Sequence, residues 1–179
     1  MEKFRNRYCI PSARLANWDY GSPGFYFVTI CTQDRVCYFG DIISDDGDVP
    51  QPEYRLQETE IGQVARENWQ KIPEHFPFVI LDESVIMPNH LHGILFFDKP
   101  GYEEWRKNQF GPQSQNLGSV IRGYKAGVKK YATMNNIEFA WQPRYHDHII
   151  RSVQDLERIR QYIVNNPANW HNDQNYINR

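Results

Sequence analysis

Phe78-Val-Ile-Leu-Asp-Glu-Ser-Val-Ile-Met-Pro-Asn-His-Leu-His-Gly-Ile-Leu-Phe-Phe97 decides the fold of this chain. Two apolar runs rich in β-branched and aromatic residues flank Pro88-Asn89. The spacing predicts a strand over Phe78–Met87, entered after Pro77, a turn at Pro88-Asn89, and an antiparallel return strand over His90–Phe97. Side chains alternate faces along a strand, so His90 and His92 point the same way while Leu91 packs on the other side. Two imidazoles on one face of a rigid strand can hold a metal ion, or can serve as hydrogen-bonding groups at the strand end.

The flanking sequence completes an alternating pattern. Gly24–Thr32 reads as a first strand. Tyr38–Ser44 and Tyr54–Leu56 flank Asp46-Gly47, a hairpin turn signal in an acidic, solvated segment. Thr59 is placed to cap a helix whose apolar positions are Ile61, Val64, Ala65, Trp69 and Ile72, with Pro73 expected to stop it. Residues 98–115 read as an exposed loop. Leu117–Tyr131 is helical in period, and its Gly118, Gly123 and Gly127 each cost about 1 kcal/mol relative to Ala. That cost implies close approach of a neighbouring helix or a ligand. Phe139–Ile150 is a strand candidate, and Ser152-Val-Gln-Asp155 opens a last helix through Leu156, Ile159, Tyr162 and Ile163 that ends at Pro167.

With the acidic hairpin set aside, the order is strand, helix, strand, strand, helix, strand, helix. This is the split βαβ, ferredoxin-like α+β pattern, an antiparallel sheet with helices on one face, followed by one more helix at the C-terminal end. No repeat or second domain is visible, so one domain over residues 1–179 is expected, with a core of about residues 20–170.

Composition narrows the function classes. The hydrophobic share is 40% and the aromatic share 15%, which suits a globular chain. No apolar run approaches the roughly 18 residues of a membrane span, and Met1–Arg7 lacks the apolar stretch of a signal peptide, so a cytoplasmic protein with no membrane partner is expected. Cys9, Cys31 and Cys37 are odd in number and lack zinc-like spacing, which predicts reduced thiols. The net charge of -2 argues against nucleic-acid binding by bulk attraction. Its distribution is uneven: residues 1–100 hold 9 Lys/Arg against 15 Asp/Glu, and residues 101–179 hold 11 against 7.

The last helix carries Gln161-Tyr-Ile-Val-Asn-Asn-Pro167. Tyr162 and Asn166 are four apart and share a face if the helix persists that far. Packing of Tyr162 and helix termination at Asn166 is the plain alternative, and a residue before proline is pushed away from helical geometry.

Three motifs in order, Met87-Pro-Asn-His-Leu-His-Gly93, Trp141-Gln-Pro-Arg-Tyr-His-Asp-His-Ile-Ile-Arg151 and Gln161–Pro167, resemble the single-tyrosine HUH transposases, in particular the REP-associated tyrosine transposases. The resemblance implies a metal-dependent single-stranded DNA endonuclease and strand transferase, a transposase of DNA recombination that acts at palindromic hairpins. It implies His90, His92 and Asn166 as ligands of Mg²⁺ or Mn²⁺, and Tyr162 as the nucleophile. The chemistry is coherent on its own terms. A tyrosine hydroxyl with a pKa of about 10 is a weak nucleophile that gains from a Lewis acid at the phosphate. Exchange of one ester for another gives a 5'-phosphotyrosine and a free 3'-hydroxyl, and the reverse reaction needs no nucleotide cofactor. Imidazole ligands alone suggest zinc or another soft transition metal.

Other residues compete or contribute. His146-Asp147-His148 is a second His-x-His, and the family match leaves His148 as a substrate or supporting residue. Tyr145 rivals Tyr162 as nucleophile. Arg122, Lys125 and Lys129, with Lys130 beside them, form a basic helical stripe, and Arg144 lies near the expected site; these are candidate DNA contacts, or simply a solvated face. Tyr26, Trp105 and Trp141 could stack on unpaired bases or pack in the core. The partner expected is single-stranded or hairpin DNA, with the protein a monomer or a homodimer. Two rival functions remain: a non-catalytic binder of structured DNA or RNA, and a phosphoester hydrolase that uses metal-bound water. A 2H-type phosphoesterase would require His-x-Ser/Thr, where this chain has His-x-His.

Overall fold

A computed structural model describes residues 3–4, 7–8, 15, 18–45, 53–102 and 115–177. Strands β1 (Lys3–Phe4) and β2 (Arg7–Tyr8) form a small ladder, and β3 (Gly24–Cys31) leads to a 3-10 turn over Gln33–Arg35. Strands β4 (Gly40–Asp45) and β5 (Glu53–Glu58) pair as a separate ribbon; the Asp46-Gly47 turn expected between them lies outside the described residues. Then follow α1 (Glu60–Gln70), the single turn α2 (Ile72–His75), β6 (Val79–Met87), β7 (His90–Phe97), α3 (Leu117–Met134), β8 (His146–Ile150) and α4 (Val153–Asn165).

The main sheet runs β6-β7-β3-β8 and every pair in it is antiparallel. In β3-α1-β6 the two strands are separated by β7, and in β7-α3-β8 they are separated by β3. These are the two split βαβ units that the element order predicts. One face carries Tyr26, Val28, Ile30, Leu91, Leu95 and Phe97 and packs against α1 and α3. The opposite face carries Phe27, Ile94 and Ile150 and is covered by Leu156, Ile159 and Ile163 of α4. Each of these three burials stabilises the docking of α4 by roughly 1.5–3 kcal/mol. The last helix therefore sits on the sheet face that the other two leave open.

Local chemistry explains the details. Gly93 makes room for Trp69 against the sheet: a Cβ there would meet Trp69 Cζ2 at 2.2 Å. In α3, Gly127 is approached by Asn68 Oδ1 of α1 and Gly123 by the Phe76 ring, so the close approach is helix packing. A register shift between Leu81 and Ser84 reverses the facing of β6, so Val79 and Leu81 before it and Ile86 after it reach the same core.

Several boundaries differ from expectation, and three have a clear local cause. Helix α1 ends at Gln70, and Pro73 falls in the first turn of α2, where its missing N–H costs nothing. The expected strand over 139–150 is a strand only from His146. Pro143 cannot donate to a ladder and Arg144 adopts φ 69°, so before His146 there remain a bridge from Thr32 to Trp141 and the bond from Gln142 N to Cys31 O. Asn166 keeps helical angles (φ -60°, ψ -42°) despite Pro167, because turns continue beyond it, with Asn169 N donating to Asn165 O and Asn166 O. No helix among the described residues is long and apolar enough to cross a membrane.

Candidate active site

Cross-strand register places His90 opposite Cys31 and His92 opposite Thr29, with both imidazoles on the α4 face. The residues before them build the support. Asn89 is wholly buried in the β6-β7 turn, where its Oδ1 accepts from His90 Nδ1 at 2.8 Å and its Nδ2 donates to Arg35 O (3.0 Å) and Asn175 O (2.9 Å). An amide oxygen can only accept, so His90 carries its proton on Nδ1 and presents the Nε2 lone pair. Thr29 Oγ1 lies 2.9 Å from His92 Nδ1, and its hydroxyl can donate or accept there.

The two Nε2 atoms converge to 3.0 Å. In one proton arrangement Thr29 donates to His92, whose Nε2–H donates to His90. In the other, His92 carries its proton on Nδ1, and two lone pairs face one point as they would around a cation. Burial pushes His90 well below the ordinary imidazole range, helped by the neighbouring His92 and by Arg35. His92 is pushed down to about 4 by burial, a shift that Asp173 opposes and His146 reinforces. Both rings are thus neutral near pH 7, the form that binds metal. Phe27 stacks on His92 with centroids 5.4 Å apart, and Trp170 lies over His90 at 5.9 Å.

Helix α4 adds the third element. Ser152 caps it by accepting from Asp155 N, and Arg160 clamps it to β6 through Asp82, at 2.8 Å for Nε to Oδ1 and 2.5 Å for Nη2 to Oδ2. Tyr162 is thereby held with its hydroxyl 3.0 Å from His92 Nε2 and 3.3 Å from Asp173 Oδ2. The ring remains 40% exposed, so a substrate can reach it. Burial, and then the Asp173 carboxylate, push the phenol up to about 12. One helical turn on, Asn166 is buried; its Nδ2 donates to Asp173 Oδ2 at 3.2 Å, and its Oδ1 has no hydrogen-bond partner among the described residues. A buried carbonyl oxygen without a donor is costly, and a cation would satisfy it. His90, His92 and Asp173 also present ligand atoms within 4.8 Å of one another.

The structure thus brings together four of the residues expected from sequence: His90, His92, Tyr162 and Asn166. Tyr145 packs instead against the core on the α1 and α3 face. His148 lies two positions along β8 from His146, and its Nε2 is 2.7 Å from Asp155 Oδ2 at the start of α4. Of the basic stripe, Lys125 Nζ donates to Gln142 O (2.6 Å) and Arg144 O (3.0 Å), and Lys129 Nζ donates to Phe139 O (2.6 Å). These amines bond carbonyls of the interrupted strand. Arg122 and Lys130 are exposed. Tyr26 is buried in the core, Trp141 packs among Phe39, Phe139 and Tyr124, and Trp105 lies outside the described residues. Cys31 and Cys37 are free thiols, and Cys9 lies outside the described residues.

Asp173, Asn89 and Thr29 are site residues that sequence reading did not single out. Thr29 could have been found from strand parity once the register was known. Asp173 follows the last periodic segment, where no pattern marks it.

The split-βαβ sheet, with a tyrosine helix laid over a buried His-x-His pair, is a fold that this chain shares with a solved transposase. It aligns with the solved structure of a REP-associated tyrosine transposase bound to a REP hairpin at a TM-score of 0.57 and 20% identity, covering 89% of this chain and 74% of that one. No protein-family model matches the chain. It is 40% identical over 176 residues to an uncharacterized protein of Haemophilus influenzae, covering 93% of this chain and 92% of that protein, and it belongs to the same family. It is 27% identical over 158 residues to a second H. influenzae protein, provisionally named a REP-associated tyrosine transposase, covering 84% of this chain and 73% of that one. The chain is thus similar in sequence to a protein provisionally named a REP-associated tyrosine transposase, and in fold to a solved one.

Proposed function

We propose that this protein is a metal-dependent single-stranded DNA endonuclease and strand transferase that cleaves beside palindromic hairpins through a 5'-phosphotyrosine intermediate. The observation that carries the reading is the Tyr162 hydroxyl, 3.0 Å from His92 Nε2 where that atom converges with His90 Nε2. The similarity to transposases, one of them bound to a REP hairpin, supports a DNA-processing role.

The residues present fit a divalent cation: two neutral imidazoles, the orphan oxygen of Asn166 and the carboxylate of Asp173. Oxygen donors beside the two histidines are compatible with Mg²⁺ or Mn²⁺. When bound, the ion supplies Lewis-acid polarisation of a non-bridging phosphate oxygen. Tyr162 attacks phosphorus, its proton passing to Asp173 Oδ2; the Tyr Oη–P bond forms as the bond to the 3'-oxygen breaks, and that oxygen leaves and takes up a proton from solvent to become the 3'-hydroxyl. Attack of the hydroxyl on the phosphotyrosine reverses the exchange. Because α4 packs on its own sheet, one chain holds all of these groups, which supports action as a monomer over a dimer that exchanges helices. Arg122, Lys130 and Arg144 are proposed phosphate contacts, and Lys125 and Lys129 contribute in so far as their amines are not engaged by carbonyls. His148 with Asp155 is proposed to steady the start of α4.

The test is covalent capture. Wild-type protein with Mn²⁺ and a hairpin oligonucleotide bearing single-stranded flanks is expected to give a denaturation-resistant adduct. Tyr162→Phe should abolish the adduct and leave hairpin binding intact. An adduct that persists in Tyr162→Phe, or cleavage with no adduct in the wild type, would refute the tyrosine mechanism. The second outcome would favour attack by water.

A further inference from the structure

Beside the histidines, the turn after β3 holds two consecutive non-glycine residues in the left-handed region, Asp34 at φ 51° and Arg35 at φ 57°. Such strain persists only where surrounding contacts over-determine it, and it gathers at functional sites. Here the contacts are visible. Thr32 donates from its backbone N–H and from its Oγ1 to Asn89 O, both at 2.9 Å, and Arg35 O accepts from Asn89 Nδ2 at 3.0 Å. The Asn89 amide that orients His90 therefore also fixes Arg35.

The arginine is turned back toward the histidines. Its charge is felt at Cys31, the cross-strand partner of His90, and at His90 itself. Arg35 Nη1 is buried and has no hydrogen-bond partner among the described residues. A desolvated guanidinium N–H without an acceptor is costly, and the rigid fork of donors matches two oxygens of a phosphate. Neither the fold nor the chemistry assigned to Tyr162 uses this group.

We propose that Arg35 binds a non-bridging oxygen of the DNA phosphodiester presented to Tyr162, acting as the fixed anion clamp of the site. This rests on the reading of the site as one for single-stranded DNA. The left-handed turn ties Arg35 to the same Asn89 amide that holds His90, and the phosphate is held from the β3 side while the tyrosine approaches from α4.

Arg35→Gln and Arg35→Lys are compared with the wild type on a short mixed-sequence single-stranded oligonucleotide. Binding is followed by anisotropy across salt concentrations in EDTA, so that no cleavage is required. Loss of one single-strand phosphate contact should lower the slope of log affinity against log salt by about 0.7 in Arg35→Gln. Arg35→Lys should keep the slope but form the Mn²⁺-dependent adduct more slowly, since a point charge replaces the fork. A direct reading in wild-type protein guards against a misfolded variant: the Arg35 Nε–H resonance, assigned by its absence in Arg35→Lys, should shift when the oligonucleotide saturates the protein. A wild-type slope in Arg35→Gln, or an unmoved resonance at saturation, overturns the proposal. Binding without an adduct in the wild type refutes the tyrosine reading alone, and no binding at all refutes both.

Discussion

Replacing Asn89 with Ala removes one side chain that serves three purposes. The residue is wholly buried, and the change deletes the acceptor for His90 Nδ1 and both donors, to Arg35 O and Asn175 O. At about 1 kcal/mol for each net hydrogen bond, with some further cost for groups left unpaired in the interior, the loss is about 3–4 kcal/mol. For a domain of this size that lowers Tm by about 10 °C. The same change frees the His90 tautomer and unpins the segment bearing Asp173, so Mn²⁺ affinity should fall by about 10–100-fold.

Thermal unfolding and a Mn²⁺ titration read these two effects separately, and Asn89→Asp divides them. Aspartate keeps an acceptor for His90 Nδ1 but sets a carboxylate against two carbonyl oxygens. It should therefore lose at least as much stability as the alanine variant while retaining more of the metal affinity. If Asn89→Ala melts with the wild type and binds Mn²⁺ equally well, the amide is not the organising group of the site.

Gly93→Ala places a methyl where Trp69 Cζ2 would be 2.2 Å away, and overpacking of this kind should lower stability by about 1–3 kcal/mol in denaturant unfolding; an unchanged midpoint would mean that the indole has room to move. Arg122→Ala combined with Lys130→Ala should lower the salt slope of hairpin binding more than Lys125→Ala combined with Lys129→Ala, because the latter amines are held by carbonyls of residues 139–144; the reverse ranking would put the loop-bound lysines on the DNA. Asp173→Asn should leave hairpin binding intact but slow adduct formation with Tyr162, and wild-type adduct rates would remove Asp173 from the proton's path.

The sheet was legible because its strands carry their own evidence. Ile94–Phe97 is an unbroken apolar run, and a strand of that kind is a central one, as β7 is. Pairing β7 with β6 through Pro88-Asn89 and giving α1 and α3 apolar stripes leaves few ways to close the layers. The interrupted stretch before β8 was less legible, since Phe139 and Trp141 are apolar for the sake of the core and not for a ladder. Pro143 was the available signal. The β6 bulge was hidden for a related reason: period-2 reading assumes constant facing, and the extra residue there reverses it.

Within the site, legibility followed the same division. His90, His92, Tyr162 and Asn166 lie on one strand and one helix, whose internal periods order them before any tertiary contact is known. Asp173 and Asn175 lie beyond α4, in turns whose course is set by bonds to Asn89 and Asn166, so nothing local could have placed them. Arg35 is a stronger case, because a left-handed arginine contradicts its own backbone preference and becomes interpretable only when Asn89 is seen to hold it. The α1 and α3 face stabilises the sheet by burying apolar area, and its residues are legible as pattern. On the α4 face, apolar packing positions a few polar groups, some of them unsatisfied, and such groups obey no period. The tyrosine helix covers the face that α1 and α3 leave open, where it is docked by Leu156, Ile159 and Ile163 while still offering Tyr162 to solvent.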